Sequence, residues 1–183
     1  AAAPNFYAYQ WWCNGISGGS SSLCTEPKPV PVPCDTTFRN NQFDVCYFDG
    51  TSAPTGAVPA LSQHTADSTV TLTSIGAWTG FDRQWGGGLV ADSGKSDSVS
   101  AVWRGRINFQ AGTYVFHTIS DDGIVLTIEG LPDVITNWND HGPTQNDSSP
   151  ITLPAGYKNV LMRWYENGGG AVARLWWDYI PTI

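Results

Sequence analysis

The sequence predicts an all-β fold, an antiparallel β-sandwich with a disulfide-pinned N-terminal arm. Three observations predict it. From about residue 43 the chain is a succession of short runs in which apolar and polar residues alternate. Gly, Pro, Asn and Asp separate those runs at short intervals. No stretch carries a 3.6-residue apolar stripe long enough for a substantial helix.

The strands are expected in the following order. Val70–Thr73 is a β-branched alternation, and Val99–Phe109 trades apolar for polar residues at period two. Thr113–Ile119 and Ile124–Ile128 follow, then Val134–Trp138, Ile151–Leu153, Val160–Tyr165 and Ala171–Tyr179. Turns are expected at Gln110-Ala111-Gly112, Asp121-Asp122-Gly123, Gly130-Leu131-Pro132, Pro154-Ala155-Gly156 and Asn167-Gly168-Gly169-Gly170. Alternation places Tyr114, Phe116 and Thr118 on one face and Val115, His117 and Ile119 on the other. Likewise Leu161, Arg163 and Tyr165 oppose Met162 and Trp164. Both faces are rich in apolar or aromatic groups, so some strands should be covered on both sides.

Two regions are expected: an irregular Cys/Pro-rich arm over residues 1–40, and the sandwich over 41–183. The arm contains a Gly/Ser stretch at Gly18–Ser22 and alternating prolines from Pro27 to Pro33, which favour extended chain. Phe6, Tyr7, Tyr9, Trp11 and Trp12 would hold it against the body. Cys13, Cys24, Cys34 and Cys46 are separated by 10, 9 and 11 residues. An even number without any CxxC pair reads as two disulfides in an oxidising compartment and not as a zinc site. Three pairings are open.

Composition narrows the partners. Hydrophobic residues make up 41% and charged residues 14%, so Ser, Thr, Asn, Gln and Gly must build much of the surface. The net charge is −7 and the isoelectric point about 4.6, with no cluster of Lys or Arg, which argues against a nucleic-acid partner. No apolar run approaches the roughly 20 residues of a membrane-spanning helix, and membrane insertion is not expected. The absence of a signal-like start suggests a mature or excised piece of a secreted protein.

Three segments carry possible chemistry. Ser120-Asp121-Asp122-Gly123 places two adjacent carboxylates at a strand end, where a calcium ion would relieve their repulsion; the plain alternative is an Asp-Gly turn with a spare acid. Tyr165-Glu166-Asn167-Gly168-Gly169-Gly170 offers the Asn167 oxygen and exposed backbone carbonyls, or else a flexible hairpin loop. Asn137-Trp138-Asn139-Asp140-His141-Gly142 has the makings of a sugar contact, or of a satisfied loop. Trp85-Gly86-Gly87-Gly88 and Trp11-Trp12 are candidate stacking aromatics, although most of nine Trp must be core. No Ser stands in a nucleophile elbow, and nothing places Glu129 and Glu166 across a shared cleft, so no catalytic residue is assigned. Asn146-Asp147-Ser148 matches a glycosylation sequon.

In order along the chain, Trp103-Arg104-Gly105-Arg106-Ile107, the run Ala111–Thr118 with Ser120-Asp121-Asp122-Gly123, Asn137–Gly142, Leu153-Pro154-Ala155-Gly156-Tyr157 and Trp164–Ala171 resemble the protective-antigen (PA-fourteen) domain family. A weaker likeness begins at Phe43–Gly50, and the first 40 residues fall outside it. The resemblance implies a jelly-roll β-sandwich and, in lectin members, a cis Asp–Asp peptide whose two carboxylates bind calcium. An Asn and loop carbonyls complete the shell, and sugar hydroxyls bind the same ion. The matching positions are Asp121, Asp122 and Asn167, with Gly168, Gly169 and Gly170 as backbone ligands. Trp138, Asn139, Asp140 and His141 are the candidates for choosing the sugar. The expectation is therefore a calcium-dependent, non-enzymatic lectin or adhesin domain, monomeric by itself and part of a larger secreted or cell-surface protein. The alternatives are an interaction module with a purely structural calcium and an accessory domain of a glycoside hydrolase.

Overall fold

The computed structural model describes residues 8–13, 22–27, 33–69 and 80–181. The expected strand Val70–Thr73 lies outside the described residues, as do the side chains of Trp11, Trp12, Cys13 and Cys24. Chain contacts separate two units, residues 1–31 and 32–183.

In the first unit β1 (Ala8–Cys13) and β2 (Ser22–Pro27) form an antiparallel pair, with Ala8 opposite Pro27 and Cys13 opposite Ser22. Irregular chain was expected here. The aromatic run at Tyr9, Trp11 and Trp12 has high strand propensity, and backbone pairing needs no apolar alternation in the partner strand.

The second unit contains two antiparallel sheets. Its strands are β3 (Gln42–Asp49), β4 (Ser62–Thr69), β5 (Gly80–Gly86), β6 (Val99–Phe109), β7 (Gly112–Asp121) and β8 (Ile124–Ile128). They continue with β9 (Asp133–Asn137), β10 (Thr144–Asp147), β11 (Ile151–Leu153), β12 (Gly156–Glu166) and β13 (Ala171–Pro181). One sheet runs β4-β3-β6-β12-β8-β9; the other runs β10-β7-β13-β5, with β11 also pairing with β7. The single helical element is a 3₁₀ turn at Ala91–Ser93, among the described residues.

An aromatic core fills the space between the sheets. Trp103 stacks on Phe81 at 5.1 Å and meets Trp164 edge-on at 6.2 Å, while Phe109 lies edge-on to Tyr114 and Phe116. Tyr114, Phe116 and Thr118 are buried, with Val115, His117 and Ile119 half-buried on the opposite face, as alternation requires. The six-stranded sheet is covered on its other side as well. There Cys34, Cys46, Phe48, Ala53, Ala60 and Val102 form a second cluster, with Trp138 and Leu161 against it. Cys34 and Cys46 are disulfide-bonded, which pins the segment before β3 to that strand. The double cover explains why β6 is buried at nearly every position.

Two links between the sheets position the site. β7 belongs to the five-stranded sheet and β8 to the six-stranded one, so Asp122 and Gly123 cross between them. β12 and β13 are likewise in different sheets, and Asn167–Gly170 crosses back. Trp164 pairs with Ile124, and Val172 pairs with Asp121, so both crossings lie side by side at one rim. The Asp122 amide donates to the Tyr165 carbonyl and the Tyr165 amide to the Gly123 carbonyl, each at 3.0 Å. Gly123 is required for this approach: a Cβ there would sit 2.2 Å from Tyr165 Cε1.

Candidate metal and ligand site

The rim formed by these crossings collects carboxylates. The Asp121–Asp122 peptide bond is cis, and the two side chains are 6% and 4% exposed. Glu166, at the end of β12, is 0% exposed. One carboxylate oxygen from each of the three lies within 4.8 Å of the others. Oxygens that share a calcium ion at 2.3–2.6 Å can be at most about 5 Å apart, so the spacing suits a common ion.

Hydrogen bonds draw two loops onto the turn. Asp122 Oδ1 accepts from the His141 amide and Oδ2 from the Asn167 amide, both at 2.8 Å. Asp140 accepts from Tyr165 Oη and from Asn167 Nδ2, also at 2.8 Å. Because Nδ2 of Asn167 faces Asp140, its Oδ1 is turned away from that carboxylate. Asp97 Oδ1 accepts from the Gly169 amide at 3.2 Å, and the Asn167 carbonyl accepts from the Ser98 amide at 3.3 Å. A Cβ on Gly170 would lie 3.7 Å from Asp121 Oδ2, so the glycine run passes directly beside that carboxylate.

The field of the cluster is strongly negative. Burial, then the charge of Asp122, raises the Asp121 carboxyl above its ordinary value, with His141 opposing. Burial, then Asp122, Asp121 and Asp97, pushes Glu166 from its ordinary 4.5 up to about 8, with only the nearby Gly168 backbone pulling the other way. Asp140 is lowered by its hydrogen bonds from Tyr165 and Asn167. Donors that are all oxygen, in an acidic setting, suit a hard cation such as calcium better than zinc or copper.

The structure thus brings Asp121, Asp122, Asn167, Gly170, Asp140 and the backbone of His141 to one place. Gly168 and Gly169 border it and are exposed, as are Asn139 and Asp140. Trp138 is half-buried: its ring meets Tyr165 edge-on at 4.8 Å and carries the Arg163 guanidinium over it at 4.8 Å. The His141 Nδ1 donates to the Gly142 carbonyl at 2.9 Å. Trp85 packs against Trp164 at 5.4 Å and Tyr47 at 6.2 Å, and so serves the core. Glu129, at the other end of β8, accepts from the Asn159 amide at 2.9 Å.

Sequence reading named Tyr165 and Glu166 within the Tyr165–Gly170 segment without giving either a role at the site, and passed over Asp97. The signal for Glu166 was present. It follows Met162 and Trp164 at period two, which puts a carboxylate on the core face of β12.

No family model matches the chain. A curated relative, anti-sigma-I factor RsgI3 of Acetivibrio thermocellus, is 33% identical over 100 residues, covering 54% of this chain. The chain spans 15% of the length of that protein. Among solved structures, an anti-sigma factor domain-containing protein from Clostridium clariflavum is similar with a TM-score of 0.61 at 22% identity, over 91% of this chain and 53% of that one. The PA14 domain of MpAFP antifreeze protein reaches 0.55 at 18% identity, over 76% of this chain and 82% of that one. The PA14 sugar-binding domain from an RTX adhesin reaches 0.51 at 19% identity, over 76% and 90%. The likeness to PA14 domains is therefore one of fold, and the sequence-level match is to an anti-sigma factor.

Proposed function

We propose that this chain is a calcium-dependent carbohydrate-binding domain, non-enzymatic, within a larger secreted or cell-surface protein, and monomeric as a domain. The observation that carries this reading is the meeting of the Asp121-Asp122 turn with the Asn167 loop at one rim of the sandwich. Two buried carboxylates side by side repel strongly in a low-dielectric setting. Asp121 receives no hydrogen bond to its carboxylate among the described residues, so a cation is the natural counter-charge. Asp121, Asp122, the Asn167 Oδ1 and the backbone of Gly168–Gly170 would hold calcium. Such an ion would supply open coordination positions for a pair of vicinal sugar hydroxyls. Trp138, Asn139, Asp140 and His141 would border the sugar. Asn139 and His141 would contact it, while Asp140 fixes Asn167 and Trp138 braces the loop through Tyr165. A site of this size should bind one sugar weakly and gain strength through repetition.

Asp121→Asn and Asp122→Asn test the reading together. Both should lose calcium uptake and glycan binding in parallel; retained glycan binding without calcium would refute it.

A second reading is favoured by the 33% identity to an anti-sigma factor. There the chain would be an interaction domain of a regulatory protein, with a protein partner. Partner binding unaffected by Asp122→Asn, alongside no glycan binding, would support that reading instead.

A further inference from the structure

We infer that Glu166 is a third carboxylate ligand, so that the cation site is built on three fixed negative charges and not two. This rests on the calcium reading above and extends it to a residue that the resemblance did not assign.

Three observations carry the inference. Glu166 is fully enclosed, and among the described residues neither of its carboxylate oxygens has a well-formed hydrogen-bond partner, the Gly168 backbone amide being the smallest of the influences on it. A buried carboxylate without a partner is expected to be matched by a cation or a proton. Among the described residues no cationic side chain is paired with it, and Asp122, Asp121 and Asp97 are the charges that act on it. Finally, it points at a definite place. One of its oxygens, one of Asp121 and one of Asp122 lie within 4.8 Å of each other, the separation that ligands of one calcium ion require. β12 fixes this direction, because Met162 and Trp164 on the same face are fully buried in the core and lock the alternation.

The competing explanation is that Glu166 stays protonated and donates a hydrogen bond to a neighbouring carboxylate, with or without calcium. The amide of Glu166→Gln would imitate that arrangement, since it too offers an N–H at the same position. A ligand role and a neutral role therefore predict opposite results for the same variant.

Calcium is titrated calorimetrically into the native chain and into Glu166→Gln, with melting temperatures recorded in excess chelator. The native chain should take one calcium ion, and Glu166→Gln should bind it at least about tenfold more weakly. Its melting temperature in chelator should equal or exceed the native value, because the amide has the shape of the carboxyl group and cannot acquire a charge beside Asp121 and Asp122. Equal calcium affinity in the two proteins would overturn the role of Glu166 and leave the calcium reading intact. No calcium uptake by the native chain would overturn both. A measurement on the native protein guards against a variant that does not fold. The chain has three glutamates, Glu26, Glu129 and Glu166, so carbon-13 labelling of Glu isolates few carboxyl bands. A calcium-induced change in those infrared bands is expected, and its absence would overturn the proposal.

Discussion

Asp122→Ala removes a side chain that grips both loops of the rim. Its two oxygens accept the His141 and Asn167 amides at 2.8 Å, and it is 4% exposed. Hydrogen bonds to a charged group contribute about 1.5–3 kcal/mol each, so the two together give roughly 3–6 kcal/mol. Relief of repulsion from Asp121 offsets part of this, which leaves a net destabilisation of about 2–4 kcal/mol in chelator. For a domain of this size that is a fall of roughly 4–16 °C in Tm. The total stability of such domains is about 5–15 kcal/mol, so the variant should still fold. Urea unfolding in excess chelator, with and without the substitution, measures the difference. In calcium the gap should widen, since the native chain alone would gain from the ion. Unchanged stability in chelator would refute the view that Asp122 holds the two loops together.

Three other outcomes follow from the same geometry. Asp140→Ala should weaken calcium binding by about tenfold while leaving the fold intact, because Asn167 loses the partner that turns its oxygen away; calorimetry reads this directly. Glu166, raised from 4.5 to about 8, holds its proton in the folded state at a pH where the unfolded chain has released it. Stability in chelator should therefore fall as pH rises from about 4.5 to about 8, and saturating calcium should reduce that slope, as pH-resolved urea melts would show. Gly123→Ala should destabilise by about 1–3 kcal/mol or more, since the new methyl group meets Tyr165 at 2.2 Å; a retained Tm would count against the close approach of the two crossings.

How much of this was legible in the sequence depended on burial. Val99–Phe109 is predicted to the residue as β6, and β7, β8, β11, β12 and β13 lie where alternation puts them, because these strands face a core. Four others carried no such signal. β4 reads Ser-Gln-His-Thr-Ala-Asp-Ser-Thr and β10 reads Thr-Gln-Asn-Asp, polar runs held in strands by the ladders of β3 and β7. β3, almost wholly buried, shows no alternation, and β5 reads Gly-Phe-Asp-Arg-Gln-Trp-Gly, with glycine at both ends and only Phe81 and Trp85 apolar between them. The Asp121-Asp122 turn and the Asn167 loop were visible as motifs. That they share one rim depends on the sheet order, which no local pattern encodes. The Asp140–Asn167 bond and the inward turn of Glu166 depend on it too. Trp138 was a candidate for choosing the sugar and Trp85 a candidate stacking ring; only packing showed that one braces a loop and the other fills the core. The disulfide pairing could not be read from spacing, and the proximity of residue 34 to β3 settles Cys34 with Cys46.

The central claim is that this chain binds carbohydrate through a calcium ion held at the Asp121-Asp122 turn. A glycan array probed with the purified chain in calcium, and again in excess chelator, tests it most directly. The account predicts binding to a restricted set of sugars bearing vicinal hydroxyls, all of it lost in chelator. Binding that persists in chelator, or no binding although calorimetry shows calcium uptake, would contradict it.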